Sequence, residues 1–244
     1  MSVECIEKYK QLNGIDILKV ILKPTKRFPE GAYFYADACD EELVRSYAWL
    51  LNSQKQPYVV AKCYQYLCFH REKARNILDD YPDCINHING IEFDNVNQNL
   101  DKVTNQQNLW ARPSKGYHKD KRFRSFEPYV AVNSRLIRAK CVRTEIEACQ
   151  VAYQLELQYQ DYRYDFLRDK HKDTDILDLE RTGQISEDEA VYRHVLRYAD
   201  NARFYFRYNL AEYFRDNHLR IPAFSLDSQG YMVSPITGQH LCPL

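Results

Sequence analysis

No two of the chain's eight cysteines have the C-x-x-C spacing. Cys5, Cys39, Cys63, Cys68, Cys84, Cys141, Cys149 and Cys242 are scattered, mostly in apolar contexts. That pattern speaks against a disulfide framework, and reduced, mostly buried thiols are the expectation. Zinc could be held only through irregularly spaced ligands such as Cys63, Cys68 and His70. The region after Met1 lacks the apolar core of a secretory leader, and no run approaches a membrane span, so an intracellular, non-secreted protein without membrane association is expected. Net charge is missing as well: 34 Lys and Arg balance 34 Asp and Glu. That weighs against binding to nucleic acid by global charge alone, and a local concentration would have to serve. Glycines are few, at seven, while tyrosines number 20. A hydrophobic share of 45% can supply cores; 28% charged residues and a mean hydropathy of −0.62 fit a soluble protein. At 244 residues, two or three small domains are expected.

The chemistry concentrates between Asp83 and Arg112, DCINHINGIEFDNVNQNLDKVTNQQNLWAR. A short apolar strand around Cys84 and Ile85 ends in Asn86-His87. Asn89-Gly90 signals a turn, and Asp94-Asn95 to Asn97 continues a polar loop. Asn99-Leu100 leads into a second short strand ending at Val103. Thr104 then opens a helix, with Gln107 completing a capping box and Asn108 one turn in.

In order and at family spacing, Asn86, His87, Gly90, Asn95, Asn99, Leu100, Thr104 and Asn108 resemble the HNH endonuclease family, in its homing and phage-type branch. The resemblance implies a ββα-metal nuclease core that hydrolyses phosphodiester bonds in double-stranded DNA with a divalent cation, Mg²⁺ or Mn²⁺. It makes His87 the general base, gives Asn86 and Asn108 as metal ligands, and has Asn99 lock the loop. The residue types suit that chemistry: a neutral imidazole can accept a proton from water near pH 7, and a hard cation takes oxygen ligands. Many family members have Asp where this chain has Asn86, and an amide binds a cation more weakly than a carboxylate.

Upstream, Ile15 to Leu22 reads as a strand. A strand from Ala32 leads through an acidic turn to a helix starting near Asp40, whose Leu43, Tyr47 and Leu50 recur at helical spacing. QPYVVAKCYQYLCFHREKA reads as two strands running toward His70 and a basic helix start. This order resembles the segment before the motif in homing-type proteins and makes His70 their upstream histidine.

Downstream the charge becomes uneven. Residues 112–143 hold ten basic side chains against Asp120 and Glu127, a net of +8. SKGYHKDKRFRSFEPYVAVNSRLIRAKCV reads as three strands, the last two joined near Asn133-Ser134. A helix follows, capped by Thr144 and Glu147, with Ile146, Cys149, Ala152, Tyr153 and Leu157 as its apolar face. Three strands and a helix opened by S-K-G-Y resemble the AP2-like DNA-binding module. By that resemblance Lys115, Lys121, Arg122, Arg124, Arg135, Arg138 and Lys140 contact DNA from the sheet, and a local charge of this size is the usual footprint of neutralised phosphates.

Beyond Leu157 nothing resembles a known family. Ser186 and Glu189 open a long helix with Val191, Val195, Ala199, Ala202 and Phe206 on one face, and QGYMVSPITGQHLCPL reads as a terminal hairpin.

The resulting expectation is an α+β chain in three parts. Residues 1–112 carry the HNH core, 113–157 form the AP2-like module, and 158–244 are a mainly helical region of unassigned role. The function read from it is a sequence-specific, metal-dependent DNA endonuclease, with a homodimer left open. The alternative is a catalytically silent DNA-binding or nucleoprotein structural protein on the same scaffold.

Overall fold

A computed structural model describes residues 3–63, 66–78, 84–111, 114–133, 135–159, 173–198, 225–226, 231–233 and 240–243. The chain is α+β, built from small antiparallel sheets and short helices. It divides into two compact units, Met1–Leu109 with Phe166–His194, and Trp110–Asp165 with Val195–Leu244.

The first unit begins with a meander of β1 (Val3–Lys10), β2 (Asp16–Leu22) and β3 (Ala32–Asp37). β2 is the strand read from Ile15–Leu22. β1 was not legible, because it is an edge strand whose residues stay exposed or half-buried. β2 buries Leu18, Val20 and Leu22 on one face and Ile17 on the other, with Lys19 and Ile21 half-buried, which explains its nearly unbroken apolar run. Leu18, Val20 and Leu22 join a core with Phe34, Trp49 and Phe69. Ile17 points the other way, into a cluster with Tyr35, Ile91, Val96 and Leu177. This second face carries the loop between the motif's two strands.

The spacing of Leu43, Tyr47 and Leu50 predicts one helix across all three residues, and the structure corrects this. Helix α1 spans only Glu41–Ser46, and Tyr47 is extended at φ −135°, ψ 163°. Leu50 lies instead on β4 (Trp49–Leu51), which pairs with β5 (Val59–Lys62) through Trp49↔Ala61. The strand ladder buries the Trp49 ring completely while its indole N–H donates to the Leu43 carbonyl at 3.2 Å. That burial outweighs helix continuation. β6 (Tyr66–Cys68) completes this sheet and runs straight into α2 (Phe69–Leu78), which puts His70 in a helix's first turn.

The motif then folds as β7 (Cys84–His87), a 3-10 turn at Asn97–Asn99, β8 (Leu100–Val103) and α3 (Asn105–Ala111). The two strands are antiparallel, with His87 opposite Leu100 and Asn86 opposite Asp101. Thr104 and Gln107 form the capping box: Gln107 N–H donates to Thr104 Oγ1 at 3.2 Å and Thr104 N–H to Gln107 Oε1 at 2.8 Å.

In the second unit β9 (Tyr117–Asp120), β10 (Ser125–Val132) and β11 (Arg135–Arg138) form an antiparallel sheet covered by α4 (Glu145–Tyr159). Tyr117, Phe126, Ala148 and Cys149 make its core. Thr144 and Glu147 cap α4 as the sequence suggests. Leu157 does not belong to the buried face; it is 46% exposed. At about 100° per residue it falls roughly 160° round the helix from the midpoint of Ala148 and Ala152, so the stripe has turned away. Toward the end of the chain, β12 (Ser225–Leu226), β13 (Tyr231–Val233) and β14 (His240–Pro243) pair antiparallel, β13 and β14 forming the terminal hairpin.

Two further helices are α5 (Thr174–Arg181) and α6 (Glu187–Tyr198). Ser186 Oγ accepts the Glu189 N–H at 3.2 Å and caps α6. Ala199, Ala202 and Phe206, expected on the same helix, lie outside the described residues. No described helix is long and apolar enough to cross a membrane. The expected burial of the cysteines is corrected: among the thiols whose burial is described only Cys149 is buried, while Cys5, Cys39, Cys63 and Cys141 are exposed. Their segments are edge strands, turns and loops, so apolar sequence neighbours do not bury them.

Gly183 ends α5 in the left-handed conformation, φ +68°, and its N–H donates to the Glu180 carbonyl at 3.0 Å. A Cβ there would lie 2.5 Å from the Lys10 carbonyl oxygen, which is backbone and cannot swing away. Gly183→Ala should therefore cost about 2–4 kcal/mol. Urea unfolding should show a lowered midpoint at unchanged slope.

Candidate functional site

The loop joining β7 to β8 is closed by two asparagines. Gly90 takes φ +68° and donates its N–H to the His87 carbonyl at 3.0 Å. Asn89 Oδ1 accepts the Ile91 N–H at 2.9 Å, a local turn that only a short amide or carboxylate side chain makes well. Its Nδ2 donates to Asp94 Oδ2 at 2.7 Å. Asn99 spans the loop's width: Oδ1 accepts the Asn89 N–H at 2.8 Å and Nδ2 donates to the Asp94 carbonyl at 2.7 Å. The amide of Asn99 is thus committed to the loop backbone.

His87 lies at the end of β7 and is only 6% exposed. Its Nε2 meets Asn95 Oδ1 at 3.1 Å. An amide oxygen can only accept, so with the amide in this orientation Nε2 carries the proton and Nδ1 the lone pair. The ring packs edge-on against His70, with centroids 5.0 Å apart, and Tyr58 lies against both. Burial lowers the pKa of His87 from its ordinary value against the opposing pull of Asn95 and Asp94. Burial first, and then His87, push His70 down to about 2. Both imidazoles are therefore neutral at pH 7, and the sequence's two candidate histidines share one packed site.

Asn95 is held by its backbone. Its N–H donates to the Tyr35 carbonyl at 2.9 Å, and its carbonyl accepts Lys73 Nζ at 2.7 Å. The Lys73 ammonium, 1% exposed, also pairs with Asp37 and with Asp40, the latter at 2.6 Å. Asp94, fully buried, receives Arg181 Nη2 of α5 at 2.9 Å. Sequence reading missed Lys73 and Arg181 as parts of this site. Their partners in the loop lie 22 and 87 residues away, beyond any motif spacing.

The two proposed metal ligands come to one side of the hairpin. Cys84 Sγ donates to Asn105 Oδ1 at 2.9 Å, so that face of β7 looks toward α3. Asn86, two residues along, shares the face, and Asn108 follows Asn105 by one helical turn. Asp101 stands directly opposite Asn86 and adds a carboxylate that the motif does not announce. One buried end of the Asn86 amide has no hydrogen-bond partner among the described residues. Turned over, that end is an oxygen, the donor a hard cation takes. The residues present therefore fit an oxygen-ligated cation. Cys63, Cys68 and His70 do not gather as a metal-ligand cluster among the described residues.

In the second unit all seven basic candidates are exposed. Lys115 precedes β9, Arg135 and Arg138 lie on β11, and Lys140 follows it. Lys121, Arg122 and Arg124 occupy the turn between β9 and β10. Strand register separates the two arginines of β11. Arg138 pairs with Tyr129 on the face away from α4, whereas Arg135 pairs with Val132 on the helix-side register. Arg138 is further tied to Glu127 by an ion pair. The basic residues thus concentrate at a hairpin tip more than across the sheet.

Because both histidine pKa values lie below 6.5 in the folded chain, the unfolded chain binds more protons once the pH falls below that value. Their contribution to stability is complete above pH 6.5 and is lost as the pH drops, down to about 2 for His70. Each histidine can contribute a slope of up to about 1.4 kcal/mol per pH unit. The stability gap between the parent and His70→Gln should narrow between pH 7 and pH 5 in urea titrations, whereas a constant gap would contradict this account. No family model, curated protein or solved structure matches the chain.

Proposed function

We propose that the chain is a metal-dependent, sequence-specific DNA endonuclease of the HNH type, hydrolysing phosphodiester bonds in double-stranded DNA. The observation that carries this reading is His87: a buried imidazole at the end of β7, its Nε2 engaged by Asn95 and its pKa lowered by burial. Such a group holds a lone pair on Nδ1 at neutral pH and can take the proton of a water attacking phosphorus. Asn95 fixes the tautomer and ring plane, and His70 and Tyr58 pack the ring so that it cannot swing. A divalent cation, Mg²⁺ or Mn²⁺, held by Asn86 and Asn108 with Asp101 opposite, would neutralise charge on the phosphate and the leaving oxygen. Lys102 is the sole Lys or Arg between Asp83 and Asn108. Grip on the duplex therefore falls to Lys115, Lys121, Arg122, Arg124, Arg135, Arg138 and Lys140, each phosphate contact adding about 0.9 to the slope of log affinity against log salt.

A second reading, a silent DNA-binding protein on the same scaffold, draws on one feature of the site. Asn86 is an amide where a carboxylate would bind the cation more tightly.

The test is plasmid nicking with Mg²⁺ or Mn²⁺. His87→Ala should lower the rate by about 10²–10⁴-fold, the usual worth of a positioned general base. A parental rate in that variant would remove His87 from the chemistry, and DNA binding with no nicking by the parent would select the silent reading. Asn86→Asp should tighten Mn²⁺ binding in a metal titration, since a carboxylate replaces a neutral amide. Weaker binding would sink Asn86 as a ligand.

A further inference from the structure

The β9–β10 turn is Lys121-Arg122-Phe123-Arg124, and its aromatic ring faces solvent. Phe123 is 76% exposed, the most open large hydrophobic side chain among the described residues. The turn is stapled beneath it: Asp120 Oδ1 accepts the N–H of Arg122 at 2.8 Å and that of Phe123 at 3.4 Å. The Arg122 guanidinium lies 6.0 Å from the ring centroid, and its side chain is almost fully exposed. Arg124 sits at φ +49°, in the left-handed region where Gly or Asn would be relaxed. The chain thus accepts backbone strain to keep a cation at that corner. A lone exposed aromatic is ordinary. A four-residue turn that presents three exposed cations and one exposed ring, with a strained arginine closing it, matches a polyanion that also offers an apolar slot.

We propose that this turn is a DNA wedge: Phe123 enters a base step of the duplex while Lys121, Arg122 and Arg124 grip the flanking phosphates. A duplex fits both halves of the tip. The phosphates complement the three cations, and one phenyl ring fills one unstacked step, as apolar wedges do in DNA-bending proteins. An anionic membrane surface fits only the charge, since anchoring there scales with apolar area and the tip supplies a single ring. The wedge rests on the DNA-binding reading above, and it adds that the DNA is unstacked and kinked where this turn enters, most readily at flexible pyrimidine–purine steps.

The experiment uses the full chain at low salt with short duplexes carrying 2-aminopurine at pyrimidine–purine steps and end labels for energy transfer. The parent should raise 2-aminopurine fluorescence and shorten the end-to-end distance. Phe123→Ala should lose both signals while keeping the parental salt slope; Phe123→Leu, still a wedge, should recover part of them. Arg124→Gly should lower the salt slope by about 0.9 and raise the thermal midpoint, because it removes a phosphate contact and relieves the turn. Duplex binding by the parent with no fluorescence change or bend overturns the wedge and leaves the DNA reading intact. Retention of both signals in Phe123→Ala likewise overturns it. No duplex binding at all overturns both, and Phe123-dependent binding to phosphatidylserine vesicles in that case would assign the tip to a membrane surface.

Discussion

A single buried ammonium holds the first unit's site together. Lys73 is 1% exposed and reaches Asp37 at the end of β3, Asp40 in the following 3-10 turn, and the carbonyl of Asn95 in the motif loop. Asp37 Oδ2 in turn accepts the Asn97 N–H at 2.9 Å. A charge taken so far out of water must keep its partners, and breaking such an arrangement costs about 3–5 kcal/mol. Burial raises the pKa of Asp40 even against the pull of Lys73. The sheet end, helix α2 and the loop are consequently locked in one arrangement. Asn95, and through it His87, inherits its position from that lock.

A second buried pair ties the same loop from its other side. Arg181 of α5 meets Asp94, and Leu177 packs with Ile17, Tyr35, Ile91 and Val96. Asp178 accepts the Tyr35 hydroxyl at 2.5 Å, and burial together with Asp178 pushes the Tyr33 and Tyr35 phenols up. The loop is thus held between a sheet face and a helix drawn from far along the chain. The loop that carries Asn95 is thereby supported from two sides by buried contacts.

Charge neutrality over the whole chain conceals an uneven distribution. The motif stretch is almost free of cations, and the second unit carries the basic excess. Within that unit the strands hold few of those cations on the open face, and the β9–β10 turn holds three beside an exposed aromatic residue.

Local patterns settled what depends on neighbours in the chain. The capping boxes at Thr104 and Thr144, the Asn89-Gly90 turn, strands β2, β7, β8 and β9–β11, and α4 are decided by residues a few positions apart, so they were legible. Edge strand β1 was not, because its residues are not buried and leave no apolar pattern. The run from Asp40 to Leu50 misled, because helical spacing cannot reveal that Trp49 gains more by entering a sheet. Leu157 misled through its apolar character, although the helix had already turned it outward. At the site, the order Asn86, His87, Asn99, Asn108 could be read directly. Long-range contact alone decided that Asn95 holds His87, that His70 packs on it, that Asp101 faces Asn86, and that Lys73 and Arg181 anchor the loop. Buried charges find partners by proximity in space, and proximity in space leaves no spacing in the sequence.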